Sequence, residues 1–212
     1  MKKELESIRV EYKSKPLNYN NLLPNPIHQL KLWLNDAIEL NIKDANAVIL
    51  STFDKLYGVQ SRVVLIKEIT NLGLVFYTNY NSVKASQILN NNNVSLCFFW
   101  SKMERQIRIN GIVEKTSVET SDNYWNSRPL NSRISALFSK QSSEVDKNYD
   151  LEKEFELFKN NFKDKVVKRP NNWGGYIVMP NKIEFWSGRN SRQHDRFVYK
   201  KNKDWSVKRL FP

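Results

Sequence analysis

Short segments of β-type sequence recur along this 212-residue chain and constrain its fold more than any other feature. In residues 105–114, Gln106, Arg108 and Asn110 alternate with isoleucines, so an extended backbone would have one apolar face and one polar face. Similar runs bounded by turn residues occupy residues 47–53, 59–67, 74–78, 94–100, 173–179, 182–186, 195–200 and 205–210. We expect about eight strands from this pattern, with a turn at Pro180-Asn181.

Helical patterns lie between several of these segments. They cover residues 1–12, 26–41, 82–89, 117–127, 131–138 and 150–162, and Pro26 and Ser82 are helix-start signals. Strands mixed with a few helices predict an α+β fold, mainly β, in the form of an antiparallel, Greek-key-like barrel with peripheral helices. Residues 1–25 are expected to form an N-terminal arm or lid, and residues 26–212 a single domain.

The net charge and the cysteine content limit which partners and which cellular environment we expect for this protein. The net charge of +12 favours an anionic partner, and nucleic acid, anionic lipid and phosphorylated small molecules all qualify. Cys97 is the single cysteine, which excludes an intrachain disulfide, and its apolar neighbours predict a buried structural thiol. The N-terminal residues have no signal-peptide core and no apolar run approaches the ~20 residues of a membrane span, so we expect a soluble, cytoplasmic protein without a membrane partner.

Several kinds of catalytic or binding motif are absent from the sequence. Neither a GxxxxGKS/T phosphate loop nor a GxGxxG dinucleotide loop occurs. His28 and His194 together with one cysteine cannot assemble the usual zinc ligand sets, so no metal site is expected. No GxSxG motif occurs, and a hydrolytic triad would have to recruit His194 without local support, which disfavours hydrolysis.

The densest chemistry lies in residues 183–196, IEFWSGRNSRQHDR. Because Arg192, His194 and Arg196 are spaced two apart, an extended backbone would place all three side chains on one face and the intervening residues on the other. Such a face suits an anionic, planar ligand, since guanidinium groups form paired hydrogen bonds and also stack. From these residues alone, a solvated basic edge strand is an equally good interpretation.

The order of several motifs resembles one known family, the pyridoxamine 5'-phosphate oxidases. The similar blocks are SRVVLIK (61–67), VFYTNY (75–80), ERQIRINGIVEK (104–115), NSRPLNSRISALFSKQS (126–142), WGGYIVMPNKIEFWSGR (173–189), RQHDRFVY (192–199) and the C-terminal W-x-V-x-RL-x-P (205–212). The resemblance extends from Ile8 to Pro212. It implies the family's architecture, a dimeric FMN enzyme with a split-barrel fold.

The resemblance also implies functional residues, position by position. FMN-binding positions match Arg62, Val63, Val64, Leu65, Lys67, Tyr77, Thr78, Lys84, Gln106, Gln141, Ser142, Trp186 and Arg196. Substrate-binding positions match Arg9, Tyr12, Lys67, Tyr124, Arg128, Ser132, Arg192 and His194, with Arg192 and His194 as the catalytic pair. In the family, the residue matching Lys84 binds the FMN phosphate, and the segment matching Arg9 and Tyr12 closes over the substrate.

The implied reaction is oxidation of pyridoxamine or pyridoxine 5'-phosphate by O2 to pyridoxal 5'-phosphate, a step of vitamin B6 biosynthesis and salvage. The substrate delivers a hydride to FMN, oxygen reoxidises the flavin with release of hydrogen peroxide, and the amine substrate also releases ammonia. Arg192 would orient the pyridine ring, His194 would hydrogen-bond near the reacting substituent, and Arg196 would favour electron density on the reduced flavin. The resemblance further implies a homodimer with FMN at the subunit interface.

One position departs from the family pattern. Val83 stands where members generally have an arginine, a second ligand of the FMN phosphate. Loss of a charge-assisted hydrogen bond of about 1.5–3 kcal/mol would weaken FMN binding roughly tenfold to a hundredfold unless other groups compensate. Arg62 and Lys84 would then carry more of the phosphate binding.

Two other functions remain open at this level. Another split-barrel flavoprotein, such as a flavin reductase with a nicotinamide donor, would share the fold. A basic barrel with exposed aromatics could also bind single-stranded nucleic acid. The ordered motifs argue against the second alternative, and we expect no nucleic-acid partner.

Overall fold

The computed structural model describes residues 2–8, 11–162 and 165–212, which form a nine-stranded antiparallel sheet with six α-helices. The strands are β1 Ala47–Asp54, β2 Gly58–Leu65, β3 Glu68–Ile69, β4 Leu74–Asn79, β5 Asn93–Trp100, β6 Arg105–Lys115, β7 Trp173–Ser187, β8 Asp195–Lys201 and β9 Trp205–Leu210. Their order is β2-β1-β5-β6-β7-β4-β3, with β8 paired to β7 and β9 paired to β8. The predicted α+β, mainly β, antiparallel fold is therefore confirmed.

Strand β7 is the place where the sheet divides. One of its edges pairs with β6 over residues 176–187, whereas the other pairs with β4 over residues 173–178 and with β8 over residues 182–187. The register between β6 and β7 shifts at Asn110/Gly111, opposite Pro180. Proline has no N–H to donate to a ladder, and a bulge accommodates it without ending the strand. The predicted turn at Pro180-Asn181 is therefore wrong, and the two predicted strands are one.

The helices follow the predicted pattern, with ends that differ by a few residues. They are α1 Lys2–Ser7, α2 Pro26–Glu39, α3 Val83–Asn90, α4 Val118–Ser127, α5 Leu130–Phe138 and α6 Leu151–Asn160. Helix α2 begins where the Asn25 side chain accepts the N–H of Ile27 at 2.8 Å, which satisfies one of the free donors of the first turn. None of the helices in the described ranges is long and apolar enough to cross a membrane.

The main core lies between helix α2 and the inner face of the sheet. Trp33 on α2 meets Phe185 on β7 edge to face, with ring centroids 5.1 Å apart, and Leu17 from the N-terminal segment packs into the same cluster. A second, smaller cluster joins α4, α5 and the start of β7 around Trp125 and Trp173. Cys97 lies on the outer face of β5 and is half-buried, whereas its neighbours Leu96 and Phe98 point to the core. The prediction of a buried thiol is therefore wrong.

Candidate functional site

A cavity of about 710 Å³ opens between the edge strand β2 and helices α4 and α5, and we call it the β2 cavity. Strands β2 and β4 form one wall, the first residues of α3 and the segment after α5 form another, and α4 and α5 close it. Eleven of the residues implied by the family resemblance line it: Val63, Val64, Leu65, Lys67, Tyr77, Thr78, Lys84, Tyr124, Arg128, Ser132 and Gln141. The structure thus brings together residues that are distant in sequence.

Lys84 occupies the α3 side of the β2 cavity. Its Nζ donates to Oε1 of Gln141 at 3.0 Å and to Oγ1 of Thr78 at 3.3 Å, and in the described part of the chain no carboxylate pairs with it. Burial, reinforced by the nearby charge of Arg62, lowers the pKa of Lys84. Ser142, with a left-handed φ of 72°, accepts the N–H of Val83 through Oγ at 3.4 Å. This corner has donors and positive charge, which suits an anion.

The guanidinium group of Arg62 is held by hydrogen bonds to a polar network of β1 and α3. Its Nη1 donates to Oγ1 of Thr52 at 2.5 Å and its Nη2 to Oε1 of Gln87 at 3.2 Å. Gln87 is buried, and burial lowers the pKa of Arg62. Because side chains alternate along β2, Val63 and Leu65 point to the opposite face and are exposed. Residues 62–65 therefore contribute to both faces of the strand.

Aromatic rings and Arg128 form the other end of the β2 cavity. Tyr77 stacks on Tyr124 with centroids 3.8 Å apart, and the guanidinium carbon of Arg128 lies 4.6 Å from the Trp173 ring centroid. Burial raises the pKa of Tyr77 to about 12, so its hydroxyl stays protonated at neutral pH. Nη1 of Arg128 is buried and has no hydrogen-bond partner among the residues that the structure describes. Since buried donors are nearly always paired, an anionic group beside Arg128 and Ser132 would supply the missing acceptor.

A second group of residues that the resemblance implies consists of Gln106, Trp186, Arg192, His194 and Arg196. They lie on the outer face of β6, β7 and β8 or in the segment between β7 and β8. Gln106, Trp186 and Arg196 stand directly opposite one another in the strand registers. In the next row, the buried Glu184 accepts Nε of Arg196 at 2.9 Å and Nη2 of Arg108 at 2.5 Å. Burial opposes ionisation of Glu184, but the hydrogen bonds from the two arginines hold its pKa below the ordinary value. Arg196 is thus fixed by a charged partner.

His194 belongs to the second group, and its ring contacts Trp186 and Tyr12. The centroid of the Tyr12 ring lies 5.6 Å from the centroid of the Trp186 ring and 5.4 Å from that of the His194 ring. Nδ1 of His194 accepts the backbone N–H of Arg189 at 3.1 Å, which leaves the ring proton on Nε2. Burial and the charge of Arg192 lower the pKa of His194.

The backbone before β8 is not extended, which corrects one expectation. Ser191 and Arg192 have left-handed φ angles of 54° and 59°, and residues 190–192 form a short 3-10 turn. Strand β8 begins only at Asp195. The predicted alternation over residues 192–196 is therefore wrong for its first three residues. Left-handed backbone at a non-glycine residue carries no clear sequence signal, which is why periodicity missed it.

The two groups of residues are separate within one chain. Arg62 on β2 and Arg196 on β8 are separated in the sheet by β1, β5, β6 and β7. None of Gln106, Trp186, Arg192, His194 and Arg196 lines the β2 cavity. Arg9, also implied by the resemblance, lies outside the described residues.

Sequence reasoning missed the residues that support these side chains. Gln87 lies on the buried face of α3 beside Ala85 and Ile88, and Glu184 alternates with Ile183 and Phe185 in a strand. A polar residue at a core-facing position of a helix signals a buried network. That signal marks Gln87. Nothing in the sequence identifies the partners of Glu184, because they lie on two other strands.

Comparison with known proteins places these features in a family. Residues 34–156 match the family model described as pyridoxamine 5'-phosphate oxidase, and residues 173–212 match that of the pyridoxine 5'-phosphate oxidase C-terminal dimerisation region. The pyridoxine/pyridoxamine 5'-phosphate oxidase of Cytophaga hutchinsonii is 45% identical over 215 residues and covers 100% of both chains. The one from Legionella pneumophila strain Paris is 42% identical over 99% of this chain and 98% of its own.

Solved structures have the same fold. PhzG from Burkholderia lata, in complex with tetrahydrophenazine-1-carboxylic acid, superposes with a TM-score of 0.87 at 25% identity over 96% of this chain and 100% of its own. An FMN-binding, pyridoxamine 5'-phosphate oxidase-related protein from Nostoc punctiforme has a TM-score of 0.73 at 15% identity over 90% and 100% of the two chains. The predicted fold and family are thus confirmed, and the chain belongs to the pyridoxine/pyridoxamine 5'-phosphate oxidase family.

Proposed function

We propose that this chain is an FMN-dependent oxidase of pyridoxamine 5'-phosphate and pyridoxine 5'-phosphate. The product is pyridoxal 5'-phosphate, O2 is the electron acceptor, and hydrogen peroxide is released, with ammonia from the amine. One observation carries the proposal beyond family membership. The β2 cavity contains half-buried cationic side chains, and one of them, Arg128, has a buried donor for which the described part of the chain offers no acceptor.

The two ends of the β2 cavity suit two phosphate groups. Arg62, Lys84, Gln141 and Ser142 would hold the phosphate of FMN, since they supply charge and neutral donors around the start of α3. At the other end, Lys67, Arg128 and Ser132 would bind the substrate phosphate, with Tyr124 beside them. The unpaired Nη1 of Arg128 supports this assignment.

The second group of residues would complete the β2 cavity from another copy of the chain. Trp186, Arg192, His194 and Arg196 all fall within the segment that matches the dimerisation region. An apolar surface on the outer face of β1, β2 and β5 offers a contact area for that copy; its exposed residues are Ile49, Phe53, Val59, Val63 and Phe99. Several exposed apolar side chains on one face of a sheet are typical of an interface. We therefore place FMN at the interface of a homodimer.

The protein side chains would orient the substrate and offer it hydrogen-bonding groups in a defined protonation state. Acceptance of a hydride and transfer of electrons to O2 is the chemistry that FMN would supply when bound beside these residues. Neutral His194 would direct its Nε2–H to the reacting substituent, because its Nδ1 is already occupied by Arg189. Arg192 would hold the pyridine ring by charge and stacking. Tyr12 would cover the pyridine ring of the substrate and keep water from it. This reaction needs no protein nucleophile and no metal.

An absorbance spectrum of the purified protein tests this function. We expect flavin bands that bleach when pyridoxamine 5'-phosphate is added without oxygen, and peroxide and aldehyde when oxygen is admitted. Bleaching by a reduced nicotinamide dinucleotide but not by pyridoxamine 5'-phosphate would favour a flavin reductase. A colourless protein that retains RNA in a salt-dependent way would favour a nucleic-acid-binding barrel.

A further inference from the structure

The N-terminal segment 11–17 is held against the second group of residues by one carboxylate, that of Glu104. Oε2 of Glu104 accepts the backbone N–H of Lys13 at 2.7 Å, the backbone N–H of Ser14 at 2.8 Å and the Ser14 hydroxyl at 2.8 Å. Hydrogen bonds to a charged acceptor are about twice as strong as neutral ones. Three of these hydrogen bonds converge on one oxygen of Glu104, and they join residues that are roughly 90 positions apart in the sequence.

The backbone of Glu104 also contacts the site. Glu104 has a left-handed conformation, with φ 54° and ψ 35°, and its carbonyl accepts the N–H of Gly188 at 2.8 Å. A left-handed residue other than glycine is uncommon and is maintained by its surroundings. One residue thus joins the N-terminal segment, through its side chain, to the end of β7, through its backbone.

Tyr12 immediately precedes the two amides that Glu104 binds. Its ring packs on Gly188, where an added Cβ would lie only 2.7 Å from Cγ of Tyr12, and it contacts Trp186 and His194. The position of this ring therefore depends on where the backbone of Lys13 and Ser14 is held. Both N–H groups of that backbone are held by Glu104.

We infer that Glu104 is a positioning residue for the substrate of this enzyme. By fixing residues 13 and 14 it keeps the Tyr12 ring over His194 and Trp186, and this inference rests on the proposed function. Glu104 recognises backbone N–H groups, so its effect does not depend on the side chain of Lys13. It does depend on the carboxylate charge.

Two further contacts keep the rest of the segment in place when Glu104 is changed. Nη1 of Arg189 donates to the carbonyl of Ser14 at 2.6 Å, and the N–H of Leu17 donates to Oδ2 of Asp195 at 3.0 Å. Leu17 is also part of the main core. Removal of the Glu104 carboxylate should therefore release residues around Tyr12 without unfolding the domain.

The experiment compares Glu104→Ala with the wild-type holoenzyme in two independent readouts. The first is trypsin cleavage after Lys13, followed by mass spectrometry as the product that begins at Ser14. The second is the steady-state oxidation of pyridoxine 5'-phosphate. Glu104→Gln keeps an acceptor oxygen without the charge and should give values between the two proteins. Glu156→Ala removes the same charge from an exposed carboxylate paired with Lys159 and serves as the control.

We expect Glu104→Ala to be cleaved about tenfold faster than wild type, because local opening exposes the bond. Its KM should rise about tenfold with kcat changed less than about twofold, the pattern of lost uniform binding. Glu156→Ala should match wild type in both readouts. Unchanged cleavage, or faster cleavage with an unchanged KM, would overturn the inference. A wild-type enzyme without oxidase activity would overturn the proposed function instead, while the cleavage rates would still decide whether Glu104 holds the segment.

Discussion

The backbone N–H of Arg189 donates to Nδ1 of His194 at 3.1 Å, which fixes the tautomer of that histidine. Nδ1 is an acceptor only when it carries no proton, so the remaining proton is on Nε2. Burial and the charge of Arg192 also lower the pKa of His194 below 6.5. The geometry and the electrostatics agree that the ring is neutral at physiological pH.

This relationship predicts how His194 titrates. Because its pKa in the folded protein is lowered, the neutral ring persists as the pH falls through 6.5, and the stability that it contributes above that pH is lost as the pH falls further through the folded pKa. In a His28→Gln variant, His194 is the single histidine. Its ¹⁵N spectrum should show an unprotonated Nδ1 at neutral pH and a midpoint below 6.5. A midpoint above 6.5, or a proton on Nδ1, would contradict the assignment.

Val83→Arg should tighten FMN binding. Val83 is exposed at the first turn of α3 beside Lys84, so an arginine at this position would lie next to the proposed site of the FMN phosphate. A new charge-assisted hydrogen bond of about 1.5–3 kcal/mol corresponds to roughly a tenfold to hundredfold lower Kd. Quenching of flavin fluorescence on titration into apoprotein measures it. Leu89→Arg, at the exposed far end of the same helix, adds the same charge, and equal affinity of the two variants would exclude a local effect.

Gln87→Leu should weaken both the fold and the FMN site. The substitution removes the acceptor of Nη2 of Arg62 and of the Thr52 hydroxyl, both in a partly buried network. We expect a loss of about 1–3 kcal/mol in the free energy of unfolding, because polar groups lose their partners. FMN affinity should fall as Arg62 becomes mobile. Ser86→Ala changes an exposed neighbour on α3, and a similar loss in that control would refute the network as the cause.

Glu184→Ala should destabilise the protein by about 2–4 kcal/mol, since it leaves Arg108 and Arg196 without their carboxylate. The folded-state pKa of Glu184 is lowered, so its contribution is present above the ordinary pKa of 4.5 and is lost as the pH falls through the folded value. Urea unfolding at pH 7 measures the difference. The exposed Glu156→Ala variant should lose less than about 1 kcal/mol, and an equal loss in both would contradict the role of Glu184.

Local patterns in the sequence predicted most helices and strands, because the alternation of apolar and polar residues and the turn and helix-start residues are local signals. The alternation in residues 105–114 places Gln106 and Arg108 on the face opposite Ile107, as the structure has it. The bulge opposite Pro180 could not be predicted, since it depends on the register with β6 and on the change of neighbour from β4 to β8. Strand β3, two residues long, has too little pattern to detect.

The candidate site was predictable in its residue types and much less in its arrangement. The motifs identify Lys84, Arg128 and His194, but the separation of the first from the last follows from the strand order. The contacts of Glu184 with Arg108 and Arg196 join three strands, and those of Glu104, which lies just before β6, join the N-terminal segment to the end of β7. Such long-range polar contacts have no periodic signature.

The central claim, that each active site is built from two protomers, is tested by subunit complementation. Arg128→Ala removes a residue of the β2 cavity, and Arg192→Ala removes one of the second group while FMN should stay bound. Each homodimer should have lost most of its turnover. A heterodimer of the two variants, purified through two different tags, would contain one intact site and one doubly defective site. It should therefore regain about half of the wild-type activity. If each site lay within a single protomer, the heterodimer would be no more active than the two variant homodimers, and the account would be wrong.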